Sequence, residues 1–219
     1  MTRKLQSERK GAAKGAARSV VIFVHGYGAD GADLLGLADP LGAHLPTTAF
    51  YAPNAPERCA GNPFGYQWFP IPWLDGSSEA MAKAGILAAA DDLDAFIDEV
   101  LDAEGLEPSA LALVGFSQGT MMSLQVAPRR AEPVAAIVGF SGRLLDPEGI
   151  AKAVSKPPVL LIHGDADEMV PVASLSEAAD ALTEAGFETY AHVSKGIGHG
   201  IAPDGLSLAV GFLREKLPA

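Results

Sequence analysis

The chain has 219 residues, 48% hydrophobic and 20% charged, which is a globular composition sized for one domain or at most two small ones and excludes a disordered or fibrous protein. Its formal net charge of -11 is unevenly placed: residues 1–18 carry six Lys/Arg against one Glu, and the remainder carries ten against 26 Asp/Glu. An acidic domain repels phosphate backbones and anionic headgroups, so neither nucleic acid nor a membrane surface is an expected partner.

In chain order, the basic segment 1–18 lacks the apolar core of a signal peptide, because Lys14 and Arg18 interrupt its Gly/Ala stretch. A disordered tail is expected there, with a targeting segment or an anion-binding arm as alternatives. From Ser19 onward, short β-branched runs alternate with longer segments of helical period. Strands are expected at Val20–Val24, Ala49–Tyr51, Leu111–Val114, Val134–Val138, Val159–Ile162 and Thr189–Val193. Helices are expected at Glu79–Glu104, Gln118–Ala127, Ser174–Ala185 and Asp204–Lys216, with Pro128 and Gly186 as stop signals. In the longest of these, Leu93, Phe96, Ile97 and Val100 share one face, and Asp91, Asp94, Asp98 and Asp102 form a solvated one. The alternation predicts a single α/β domain over residues 19–219, a mostly parallel sheet with helices on both faces and ligands at the carboxyl ends of the strands. The longest apolar runs, Val20–Val24 and Val159–Ile162, are far short of the roughly 18 residues of a membrane span. The only cysteine, Cys59, cannot form an internal disulfide, which suits a cytoplasmic location. Residues 57–76 follow no period yet hold both tryptophans, so this aromatic segment must pack onto something.

The sharpest chemical signal is Gly115-Phe116-Ser117-Gln118-Gly119, directly after an expected strand and before an expected helix. Crowding in such a turn projects the Ser117 hydroxyl from the sheet edge, and the flanking glycines let the two arms approach. The Gln118 amide then sits at a helix N-terminus, where it can stabilise an oxyanion. Ser141, in Gly139-Phe140-Ser141-Gly142-Arg143, lacks the second glycine of that pattern. A serine nucleophile needs a histidine base and an orienting carboxylate, which follow later in the chain in this class of sheet enzyme. His199 lies in the glycine-rich loop Gly196–Gly200, and the loop after Val159–Ile162 offers Asp165 and Asp167. His192 and His163 read as structural. A second oxyanion donor should come from a loop after an early strand, and the Tyr27 amide fits. Gly26-Tyr27-Gly28-Ala29-Asp30-Gly31 also spells a dinucleotide-binding fingerprint, but the required acid at the end of the second strand is missing from Ala49-Phe50-Tyr51-Ala52.

Six segments in order, FVHGYGADG at 23–31, APNAPE at 52–57, YQWF at 66–69, GFSQG at 115–119, HGDADEMVP at 163–171 and GIGHGI at 196–201, give the chain its family resemblance. It resembles the carboxylesterase/phospholipase family of α/β-hydrolases, which includes the acyl-protein thioesterases. The resemblance implies Ser117 as nucleophile, Asp167 as acid, His199 as base, and the Tyr27 and Gln118 amides as oxyanion hole, with no metal or cofactor required. Three features depart from the family: Glu168 beside the acid, the extension of the aromatic run through Pro70-Ile71-Pro72-Trp73, and the basic tail.

Only 18 residues separate Phe140 from Val159, too few for a large lid. Phe64, Trp68, Phe69 and Trp73, with Met169, Val170 and Ile201, are expected to line an acyl groove for short- to medium-chain esters. The expected activity is that of a serine carboxylesterase on a small-molecule ester. Acyl-protein thioesterase, lysophospholipase-like or dienelactone-hydrolase-like activity, and a catalytically silent binding module, are the alternatives. Apolar residues around the site could also mediate a homodimer.

Overall fold

In the computed structural model, which describes residues 2–219, the period-2 pattern of the central strands decides how the layers pack. Strand β2 (Ser19–Val24) is buried throughout; Val20, Ile22 and Val24 face one hydrophobic cluster, and Val21 and Phe23 face the other. A strand buried on both faces reads as an unbroken apolar run and belongs at the centre of a covered parallel sheet.

The other strands of that sheet are β1 (Ser7–Gly11), β3 (Thr48–Pro53), β6 (Leu111–Phe116), β7 (Ala136–Phe140), β8 (Val159–Gly164) and β9 (Thr189–Ser194). Their order is β1-β3-β2-β6-β7-β8-β9, and only β1 runs antiparallel. Helices α4 (Glu79–Glu104), α5 (Gln118–Val126) and α7 (Ala173–Glu184) cover one face, where Leu93, Ile97, Met122 and Leu182 are buried. Helices α1 (Gly31–Leu35), α2 (Ala38–Gly42) and α8 (Pro203–Lys216) cover the other, burying Leu34, Leu41 and Leu213. Helix α4 starts where the Ser78 hydroxyl accepts from the Met81 amide and stops at Gly105, whose φ of 67° is left-handed. No helix among the described residues is long and apolar enough to cross a membrane.

Two expectations need correction. The basic segment is not a disordered tail: residues 7–11 form β1, paired with β3, and Leu5 is buried. The reason is electrostatic, because α4 buries two carboxylates that the arm neutralises. Arg3 Nε lies 2.8 Å from Asp92 and Arg9 Nε 2.7 Å from Glu104, which also accepts from the Tyr51 hydroxyl at 2.6 Å. Burial would push the Glu104 carboxyl up, but its bonds to Arg9 and Tyr51 hold it below the usual carboxylate range. Strand β7 also lies two residues later than expected, at Ala136–Phe140. Its ladder continues through Gly139 and Phe140 opposite Gly115 and Phe116, past a glycine that weakens the strand signal.

The irregular segment 57–76 contains a short hairpin, β4 (Glu57–Arg58) with β5 (Tyr66–Gln67), followed by a single turn, α3 (Pro72–Asp75). A second single turn, α6 (Pro147–Ile150), is the only helix between β7 and β8, so no large lid is present there.

Candidate active site

Ser117 occupies the turn between β6 and α5 with φ 54° and ψ -115°, a left-handed backbone that non-glycine residues adopt only when their surroundings enforce it. The surroundings do so. A Cβ at Gly119 would lie 1.7 Å from the Val24 carbonyl oxygen, and one at Gly115 would lie 2.4 Å from the Thr120 amide nitrogen. The Ser117 amide donates to the Phe140 carbonyl at 2.9 Å, which ties the turn to the next strand.

The loop after β8 carries the carboxylate. Asp167 has a fully buried side chain whose Oδ1 accepts from the Met169 and Val170 amides, each at 2.9 Å. Its Oδ2 lies 2.7 Å from His199 Nδ1 and 3.3 Å from His163 Nε2. Burial alone would raise the carboxyl, but the Val170 amide, the His199 ring and the Met169 amide hold it below the usual range. Asp165, the other aspartate of this loop, accepts instead from the Gly196 amide at 2.6 Å and braces the histidine loop against β8. His163 donates to the Val170 carbonyl at 2.9 Å, and His192 meets Asp204 on the surface at 2.8 Å. Glu168 is exposed.

Ser117 and His199 line one cavity of about 180 Å³, together with Gly26, Tyr27 and Gln118. The His199 ring packs against Phe116, with centroids 4.9 Å apart. Among the described residues, neither the Tyr27 nor the Gln118 amide has a hydrogen-bond partner. The Gln118 amide stands at the N-terminus of the nine-residue helix α5, whose dipole favours negative charge there.

Of the seven side chains expected to line the groove, Phe69, Trp73, Met169 and Val170 border the cavity that Ser117 and His199 share. Phe64 does not, being 85% exposed in the loop of the β4–β5 hairpin. Trp68 does not either: it is fully buried, and its indole N–H donates to the His25 carbonyl at 2.9 Å. It is an anchor, one residue out of phase with Phe69. Ile201 packs instead against the core cluster beneath α8.

Ile71, Leu74, Phe116, Met121 and Arg143 complete the wall and were not singled out from the sequence, because they come from a single-turn helix, a strand end, a helix interior and a loop with no shared period. Two supporting roles were also missed. The Gln118 side chain accepts from the Trp68 amide at 3.1 Å and donates to the Phe69 carbonyl at 2.8 Å, clamping the aromatic segment over the sheet. His25, buried and therefore pushed toward its neutral form, donates from Nδ1 to the Gly26 carbonyl at 2.7 Å and accepts from the Ala55 amide at 2.9 Å.

A left-handed serine after a central strand, with a histidine–carboxylate pair from the loops that follow later strands, defines the class: the chain has the α/β-hydrolase fold. Comparison with known proteins narrows it. Residues 9–217 match the phospholipase/carboxylesterase family, and the chain belongs to that family. The crystal structure of esterase PE8 is 46% identical and superposes with a TM-score of 0.92, covering 98% of this chain and 100% of that one. Esterase YpfH of Escherichia coli strain K12 is 30% identical over 208 residues, 92% of this chain and 84% of that protein. Acyl-protein thioesterase 1 of Neurospora crassa is 29% identical over 215 residues, 91% of this chain and 87% of that one. The protein is accordingly a hydrolase that acts on ester bonds.

Proposed function

We propose that the chain is a serine carboxylesterase that hydrolyses short- to medium-chain carboxylic esters through an acyl-enzyme. The observation that carries this reading is the 2.7 Å contact between Asp167 and His199 at the wall of the cavity that Ser117 shares. With Nδ1–H donated to Asp167, Nε2 of His199 is left as the base. It takes the Ser117 proton as the hydroxyl oxygen attacks the ester carbonyl. The unpartnered Tyr27 and Gln118 amides receive the oxyanion, each worth roughly 100- to 1000-fold in rate. The imidazolium, stabilised by ionised Asp167, returns the proton to the leaving alcohol. A water activated by His199 then releases the acid and restores Ser117.

The cavity supports a short acyl group, since about 180 Å³ is roughly six water molecules' share of liquid volume. A neighbouring groove of about 450 Å³ shares Phe69, Ile71, Trp73 and Arg143 with it and offers a longer chain somewhere to go. The second reading is an acyl-protein thioesterase, favoured by the Neurospora crassa relative and chemically open to the same residues.

A series of p-nitrophenyl esters with acyl groups of two to eight carbons, run beside an acyl thioester on the intact protein and on Ser117→Ala, tests the proposal. Hydrolysis is expected to vary with acyl length and to vanish in Ser117→Ala. A flat rate across the series would sink the groove assignment, and activity indifferent to Ser117→Ala would sink the triad.

A further inference from the structure

The cavity that holds Ser117 has a wall of apolar side chains and backbone, with one formally charged side chain besides the histidine: Arg143. We propose that Arg143 selects esters that carry a carboxylate close to the scissile bond. This proposal rests on the esterase reading above and assigns Arg143 as a specificity-determining residue of that site.

Arg143 follows β7 by three residues, and its place is set by a close backbone approach. A Cβ at Gly142 would lie 2.4 Å from the Thr120 Cβ, so the chain leaves β7 pressed against α5 and emerges at the carboxyl edge beside Ser117. There the guanidinium sits over the Trp73 ring, 5.7 Å from its centroid. At that distance the ring face offers the cation a favourable contact without occupying its N–H groups.

Among the described residues Arg143, like Arg214, has neither an ion pair within 4.0 Å nor a hydrogen bond, and what sets it apart is its place on the wall of the cavity that holds Ser117. Arg143 also borders two adjoining hollows that carry acids: Glu79 and Asp146 in the groove beyond Trp73, alongside Lys83, and Glu177 in the depression past Leu145. Asp146 is already engaged by Arg129 Nη2 and the Gly149 amide, both at 2.8 Å. None of the three lines the catalytic cavity, and exposed Glu168 does not line it either. Arg143 is exposed at the rim and solvated in the free protein, and as the one formally charged side chain of this cavity besides the histidine it can meet a planar ligand carboxylate in a two-point contact. The volume of about 180 Å³ keeps that carboxylate within a few bonds of the carbonyl that Ser117 attacks.

The test compares ethyl hydrogen succinate, which carries the anion, with neutral ethyl butyrate by pH-stat, in the intact protein, Arg143→Gln and Arg143→Lys. The ratio of kcat/KM for the half-ester to that for the neutral ester is the readout, because a merely structural fault lowers both values and leaves their ratio alone. The ratio is expected to fall at least about tenfold in Arg143→Gln, to recover in part in Arg143→Lys, and to fall in the intact protein as salt rises from about 0.05 to about 0.5 M. An unchanged ratio in Arg143→Gln, or a salt-insensitive one, overturns the assignment. If ethyl butyrate is still hydrolysed in a Ser117-dependent way, that failure falls on Arg143 alone. If the intact protein hydrolyses neither ester, the esterase reading falls and this assignment with it.

Discussion

Two strand ends of this sheet carry serines with positive φ. Ser117 follows β6 with φ 54° and bonds its amide to the Phe140 carbonyl; Ser141 follows β7 with φ 49° and bonds its amide to the Ile162 carbonyl. The turn has in effect been repeated one strand further along. What separates the two is what comes next. Ser117 opens a helix, faces the cavity and shares it with His199. Ser141 is followed by Gly142, which packs against Thr120, and its hydroxyl is buried without a hydrogen-bond partner. On the proposed reading of Ser117, a strained turn is not enough to make a nucleophile: access, a base and an oxyanion site must meet at the same strand end.

The largest expected effect tests that contrast directly. Ser117→Ala should lower kcat/KM for a p-nitrophenyl ester by about 10⁴- to 10⁶-fold. Ser141→Ala should change it by less than about threefold and leave stability within about 1 kcal/mol, because it removes a buried hydroxyl that bonds nothing. A large loss of activity in a folded Ser141→Ala protein would erase the distinction. The aspartates of the β8 loop offer a second pair. Asp167→Asn is expected to cost about 10³- to 10⁴-fold in kcat, since an amide can neither hold the His199 tautomer nor stabilise its cation. Asp165→Asn keeps an acceptor for the Gly196 amide and should cost no more than about threefold.

The glycines around the two sites sharpen the comparison on the side of stability. Gly119→Ala places a methyl group 1.7 Å from a backbone carbonyl that cannot move without the sheet, so a loss of about 3–5 kcal/mol or failure to fold is expected. Gly200→Ala, with open space where its Cβ would go, should shift the urea midpoint by the equivalent of less than about 1 kcal/mol. Equal midpoints for the two variants would mean that close packing does not hold the Ser117 turn.

The parts that a sequence reveals well are those whose residues answer to one local rule. The unbroken apolar run Val20–Val24 and the Gly115–Gly119 pattern each declare a strand or a turn by themselves, and both are found where expected. The cavity wall obeys no local rule. Trp68 and Phe69 are neighbours with opposite fates, one anchored to the His25 carbonyl and the other facing the cavity, and only the Gln118 clamp from another element decides which is which. The basic arm misleads for a related reason. Its charges look like those of a solvated tail until α4 is seen to bury Asp92 and Glu104 at the positions they reach.

That arm supplies the smallest expected effect on hydrolysis and a control on the serine comparison, because the pairing of Arg9 with Glu104 belongs to β1 and α4 and touches neither strand end. Arg9→Gln leaves a fully buried carboxylate without its cation, at a cost of about 2–3 kcal/mol at neutral pH. Glu104 is held below its ordinary range in the folded protein, so its contribution is fully present above the unfolded value of about 4.3 and is lost as pH falls through the lower folded value. The stability gap between the intact protein and Arg9→Gln, read from urea midpoints, should therefore narrow as pH falls below about 4.3. At neutral pH, where both proteins remain folded, Ser117-dependent hydrolysis should agree within about twofold. A gap that stays constant down to pH 2 would show that Arg9 stabilises the arm through its aliphatic stem and not its charge, and a marked loss of hydrolysis would show that the β1 edge is coupled to the elbow across the sheet.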